Sequence, residues 1–157
     1  MSTKHKPSVL DTDKLKKATK KKFAIVCSEW NSEIINRLLS GAYTFFKSID
    51  ISTDEISLIK VPGSFELIYG CSTVQATDKY DAILAIGSII RGETSHFKYI
   101  SQSVFDGIKD LNLNGKSPII LCLLTDDNFQ QALDRSGGKY GNKGYDCAAA
   151  AANISLI

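Results

Sequence analysis

The chain has 157 residues, 43% hydrophobic and 23% charged, with a formal net charge of +2. These values fit one ordinary globular domain and exclude a low-complexity or disulfide-dense chain. No apolar run approaches the roughly 20 residues that span a bilayer, and the polar, lysine-rich start lacks the apolar stretch of a secretory signal.

The charge is uneven. Residues 1–22 hold eight lysines against Asp11 and Asp13, which leaves 11 basic against 15 acidic residues, a net of −4, in the rest. No aromatic residue precedes Phe23 to stack on bases. The segment therefore reads as a solvated tail rather than a nucleic-acid or membrane tether. The four cysteines, at 27, 71, 122 and 147, form no C-x-x-C pair, so neither a metal site nor a redox couple is indicated. Reduced thiols in a cytoplasmic protein fit that spacing.

The apolar run 23–27 predicts a first core strand, and 28–31 a polar turn. Ile35, Leu38, Leu39, Ala42, Phe45, Phe46 and Ile49 then recur at helical spacing, with Asn31 or Ser32 placed to cap the helix. A second strand, 56–61, stops at Pro62-Gly63, and a helix follows over 65–77 despite Gly70. Residues 82–88 predict a third strand and 96–111 an amphipathic helix, broken at 112–115. A fourth strand, 118–124, leads into a helix over 127–136, a flexible basic loop at 137–144, and a closing helix over 146–154 built on the alanine run 148–152.

Strands alternating with helices predict a four-stranded parallel sheet with helices on both faces, a three-layer α/β sandwich. The expected organisation is a basic N-terminal segment, 1–22, and one domain, 23–157. Ligands of such sheets bind beyond the carboxyl ends of the strands. That rule gathers three turns on one edge, 28–31, 62–66 and 88–96.

The third turn is the most informative. Arg91-Gly92-Glu93-Thr94-Ser95-His96 runs from a strand end into a helix N-terminus, where backbone N–H groups and the helix dipole attract anions. Imidazole changes charge near neutral pH, so His96 suits proton transfer; a lone histidine at a helix start has a purely structural reading as well. Trp30 offers a face for a flat heterocycle, or else covers the edge of the core. Gly63 lets a ligand approach the backbone, and Glu66 either caps its helix or accepts hydrogen bonds from ligand hydroxyls. Arg135 has the fork that clamps a phosphate, or is a surface arginine. G-x-x-x-x-G-K-[ST] and G-x-G-x-x-G are both absent, which speaks against ATP and dinucleotide binding.

Val-Pro-Gly-Ser-Phe-Glu at 61–66, Ile-Arg-Gly-Glu-Thr-Ser-His-Phe at 90–97 and Gly-Asn-Lys-Gly at 141–144, together with Trp30-Asn31, closely resemble the 6,7-dimethyl-8-ribityllumazine synthase family from about Phe23 onward. The resemblance implies a flavodoxin-like fold and a riboflavin-biosynthesis transferase with no metal or organic cofactor. Its substrates would be 5-amino-6-(D-ribitylamino)uracil and 3,4-dihydroxy-2-butanone 4-phosphate. It assigns His96 to proton transfer and Trp30 to stacking on the pyrimidine. Asn31, Ser64 and Glu66 fall to the ribityl side and Ile89 and Ile90 to backbone contacts with the ring, with Gly63, Phe65 and Ser88 counted among the substrate-binding positions. Gly92, Glu93 and Thr94, with Arg135, fall to the phosphate, and Lys143 to the substrate side.

The resemblance also implies that Leu121, Arg135 and Lys143 serve a neighbouring subunit. Leu121 stands where many members carry an aromatic, and Glu29 where a basic or small residue is commoner. Implied assemblies are pentamers, dimers of pentamers or icosahedral shells of sixty, with the compact loop at 138–142 pointing to the shell. The N-terminal segment would add a strand to a neighbour's sheet, and riboflavin synthase is an implied associate. Competing readings are an archaeal-type riboflavin synthase, a non-catalytic shell or binding homologue, and a flavin carrier. The carrier would need a phosphate loop directly after the first strand, where 28–31 is too short and has no glycine.

Overall fold

A computed structural model describes residues 11–157. After a helical turn α1 (Thr12–Leu15), the order is β1 (Phe23–Ser28), α2 (Ser32–Ser48), β2 (Ser57–Val61), α3 (Leu67–Ala76), β3 (Ala82–Ile90), α4 (His96–Asn114), β4 (Ile119–Asp126) and α5 (Phe129–Arg135). A small hairpin follows, β5 (Ser136–Gly138) and β6 (Gly141–Asn142), and α6 (Lys143–Ile154) closes the fold. The four main strands form one parallel sheet in the order β2-β1-β3-β4. The chain moves outward from β1 to β2, then returns past β1 to β3. The switch point lies between β1 and β3, where such sheets open a crevice at their carboxyl ends.

Strand alternation sorts the core into two layers. Phe23, Ile25 and Cys27 of β1 point into one layer with α2 and α6, while Ala24 and Val26 point into the other with residues of α3 and α4. Phe46 lies 5.0 Å from Phe23, and Phe45 meets Tyr145 edge-on at 5.2 Å. The alanines of α6 let it approach α2 closely. At Gly144 the approach is limiting, because a Cβ there would collide with the carbonyl oxygen of Leu38.

Four expectations are corrected. The segment before β1 is not simply a solvated tail. Leu15 and Ala18 are buried in the α2/α6 layer, and Asp81 accepts hydrogen bonds from Lys22 N at 2.7 Å and Lys21 Nζ at 3.2 Å. Charge dominates the composition there and hides two apolar anchors. The expected strand addition by the N-terminus falls largely on residues 1–10, outside the described residues.

Helix α4 continues through 112–114, because Asn112 spends its amide on β4, accepting from Ile119 N at 2.7 Å and donating to Ile119 O at 2.9 Å. The expected flexible loop at 137–144 is instead a hairpin pinned by Asn142. That side chain donates to Arg37 O and Ser136 O and accepts from Gly144 N and Tyr145 N, capping α6. Finally, Asn31 is not a side-chain cap for α2. It sits in the left-handed region (φ 58°), which asparagine tolerates better than most residues, and its amide reaches across to β3.

Candidate active site

The carboxyl ends of β1, β2 and β3 surround a cavity of ≈ 530 Å³. The turn after β1 is tied to the turn after β2 by two backbone bonds, Glu29 N to Val61 O (2.8 Å) and Trp30 N to Pro62 O (3.2 Å). Asn31 Nδ2 then donates to Ser88 O at 3.0 Å, and Ser64 Oγ reaches the same carbonyl at 3.4 Å. Three loops from separate strands are thereby held as one rim. Ser88 is buried, and its own hydroxyl has no hydrogen-bond partner among the described residues.

The geometry decides between readings that the sequence left open. Trp30 is 73% exposed and lines the cavity, so it does not cover the core edge. Phe65 is 48% exposed at the same opening. Two aromatic faces exposed at one mouth suit a flat ring. Glu66 occupies the N-cap position of α3 but makes no capping hydrogen bond, and its carboxylate borders the cavity.

Beyond Arg91, whose backbone N–H donates to Asp126 O at 2.9 Å, the turn after β3 leaves the backbone donors of 92–95 unspent among the described residues. Residues 91–96 are all exposed, and Ser95 at the N-cap of α4 makes no side-chain capping bond. At the start of the helix Lys98 N donates to Ser95 O at 3.0 Å, and the one side-chain contact is a long one, His96 N to Thr94 Oγ1 at 3.4 Å. Gly92, Thr94 and His96 line the cavity. A 19-residue helix with no side-chain cap opens here on the cavity, and the dipole at such an end attracts anions. Arg91 does not contribute its charge. Its Nε pairs with Asp127 at 2.6 Å, and its guanidinium sits 4.3 Å from the centre of the Phe97 ring.

The cavity thus brings together Trp30, Asn31, Gly63, Ser64, Phe65, Glu66, Ser88, Ile89, Ile90, Gly92, Thr94 and His96. Glu93 lies in the same turn but does not line it. Leu121, Arg135 and Lys143 do not line it either. Leu121 packs at the margin of the α3/α4 layer, Arg135 pairs with Asp126 at 3.2 Å, and Lys143 lies 3.8 Å from Asp146. Burial pushes the Asp126 carboxyl above its ordinary range, with Arg135 pulling against that. Burial alone raises the Cys71 thiol to about 12, so that sulfur is inert.

Phe97, Ile100 and Pro62 also line the cavity, and sequence reasoning does not single them out as site residues. Phe97 and Ile100 read as core positions on the helix face. Their place in the first two turns of a helix that opens on the rim is the signal that they border the cavity instead. No helix among the described residues is long and apolar enough to cross a membrane.

Residues 20–156 match the family model described as 6,7-dimethyl-8-ribityllumazine synthase. Similar proteins carry the same name. One from Flavobacterium johnsoniae is 44% identical over 158 residues, covering 100% of this chain and 83% of the relative. One from Christiangramia forsetii is 44% identical, covering 96% of this chain and 90% of the relative. One from Clostridium kluyveri is 41% identical, covering 87% and 88%.

Proposed function

The chain belongs to the 6,7-dimethyl-8-ribityllumazine synthase family, and from that premise we propose how the cavity divides the work. The enzyme condenses 5-amino-6-(D-ribitylamino)uracil with 3,4-dihydroxy-2-butanone 4-phosphate to 6,7-dimethyl-8-ribityllumazine in riboflavin biosynthesis, releasing phosphate and water. The observation that supports the site is the convergence of two exposed aromatics, a free carboxylate and an uncapped helix N-terminus on one cavity. In our reading Trp30 stacks on the pyrimidine. Ser64, Phe65 and Glu66 take the ribityl chain through backbone groups and the carboxylate. Ile89 and Ile90 meet the ring edge through their backbone. Gly92, Glu93 and Thr94 form the phosphate turn. His96 moves protons as the amine and ketone form an imine, phosphate leaves and the ring closes. Alignment of the two reactants supplies much of the acceleration.

The lining residues of this cavity include no lysine or arginine, while its second substrate carries a phosphate. We therefore assign Arg135, Lys143 and the apolar wall at Leu121 to the cavity of an adjoining copy. Tyr69, Tyr99, Phe105 and Leu113 on α3 and α4 are exposed apolar surface available for such contact. The assembly proposed is a shell of sixty, supported by the tight hairpin in which only Lys139 and Tyr140 join β5 to β6. Mass photometry showing pentamers alone would refute the shell. All four cysteines are unpaired and buried, in keeping with a cytoplasmic setting.

The direct test mixes the purified protein with both substrates and follows the lumazine chromophore. Its appearance only when both are present is expected. Riboflavin formed from the lumazine alone would instead identify a riboflavin synthase.

A further inference from the structure

Arg135 ends α5, and its guanidinium is tied to a carboxylate buried at the end of the neighbouring strand. Asp126, the last residue of β4, is 2% exposed. Its Oδ1 accepts a hydrogen bond from Arg135 Nη1 at 3.2 Å. Its Oδ2 is buried with no partner among the described residues. A buried carboxylate left half unpaired detracts from stability, so its presence calls for another reason.

Local structure does not supply one. Asn128 caps α5 by accepting from Gln131 N at 3.0 Å. The adjacent acid, Asp127, is engaged with Arg91, and its backbone N–H donates to Gln131 Oε1 at 2.8 Å. The carboxylate of Asp126 has one visible task, which is to hold Arg135. The Arg135 side chain stays 33% exposed, and its other N–H groups make no hydrogen bond among the described residues.

We infer that Asp126 is a positioning residue for the phosphorylated ketone: by anchoring Nη1 it presents the remaining Arg135 donors as a preset fork to the phosphate held by an adjoining copy. The inference rests on the reading of Arg135 as a phosphate ligand. An arginine whose fork is fixed before binding gives up less freedom when the anion arrives. The ribityl pyrimidine carries no phosphate and is indifferent to that order. The effect therefore falls on one substrate only.

The test is steady-state kinetics on the assembled enzyme, varying each substrate with the other saturating. Asp126→Ala is expected to raise KM for the phosphorylated ketone about tenfold, the size of one charge-assisted hydrogen bond. KM for the pyrimidine and kcat should stay within about twofold, well inside that same scale. Asp126→Asn keeps an acceptor oxygen in place and should recover most of the loss. Asp126→Thr stands in if the alanine variant does not assemble. The double variant Asp126→Ala/Arg135→Ala should be no worse than Arg135→Ala alone.

An equal rise in both KM values, no rise in either, or an additive double variant would overturn the inference. If Arg135→Ala itself leaves the ketone KM unchanged, the reading of Arg135 falls and the inference with it. If Arg135→Ala raises that KM while the Asp126 variants do not, only the role of Asp126 falls.

Discussion

The segments 91–96 and 137–144 look alike on paper, both polar and glycine-bearing between regular elements, yet they are opposites in the fold. In the second, every hydrogen-bonding group of the Asn142 side chain is committed, to Arg37, Ser136, Gly144 and Tyr145, and Gly141 takes the positive φ of 80° that the hairpin needs. In the first, the residues are exposed, and the N-terminus of α4 has no side-chain cap. Polar groups that are spent hold the fold together, and polar groups that are unspent wait for a ligand. Glycine content alone distinguishes neither.

Substitutions should separate the two conditions. The largest effect is expected at Gly144→Ala, whose methyl would strike the Leu38 carbonyl; calorimetry should show a loss above about 3 kcal/mol, beyond ordinary overpacking, because backbone must move. Asn142→Ala leaves several groups unpaired and should cost about 2–3 kcal/mol in denaturant titrations, with substrate KM values little changed in the protein that remains folded. In the open site the pattern inverts. Trp30→Ala should weaken pyrimidine binding about tenfold by calorimetric titration, the scale of one lost aromatic stack, while the melting temperature holds. His96→Ala should slow turnover by less than about tenfold, since alignment carries much of the rate. A pH–rate profile that is flat over the neutral range in both the variant and the parent enzyme would deny His96 any proton-transfer duty. Thermal melts that fall for Trp30→Ala as far as for Asn142→Ala would erase the distinction altogether.

The sheet was legible because β1, β3 and most of β4 are apolar runs largely covered on both faces, while the half-exposed edge strand β2 is marked by the Pro62-Gly63 that stops it. The rim was legible because strand ends in a parallel sheet share one edge, a rule that by itself gathers Trp30, Glu66 and His96. Side chains that spend themselves over long range were not legible. Asn31 looks like a cap and is a strap to Ser88; Asn112 looks like a helix breaker and is a staple to Ile119. Both amides find partners that only the tertiary fold supplies. Phe97 and Ile100 were hidden by their own hydrophobicity, which core and cavity walls satisfy equally. Arg135 and Lys143 are tied to the substrates only through the family resemblance, because nothing local in the sequence joins them to the rim.

The anchors Leu15 and Ala18 set a practical boundary for remodelling the molecule. A deletion that runs past Ala18 strips two apolar plugs from the α2/α6 layer and opens a hole in the hydrophobic interior.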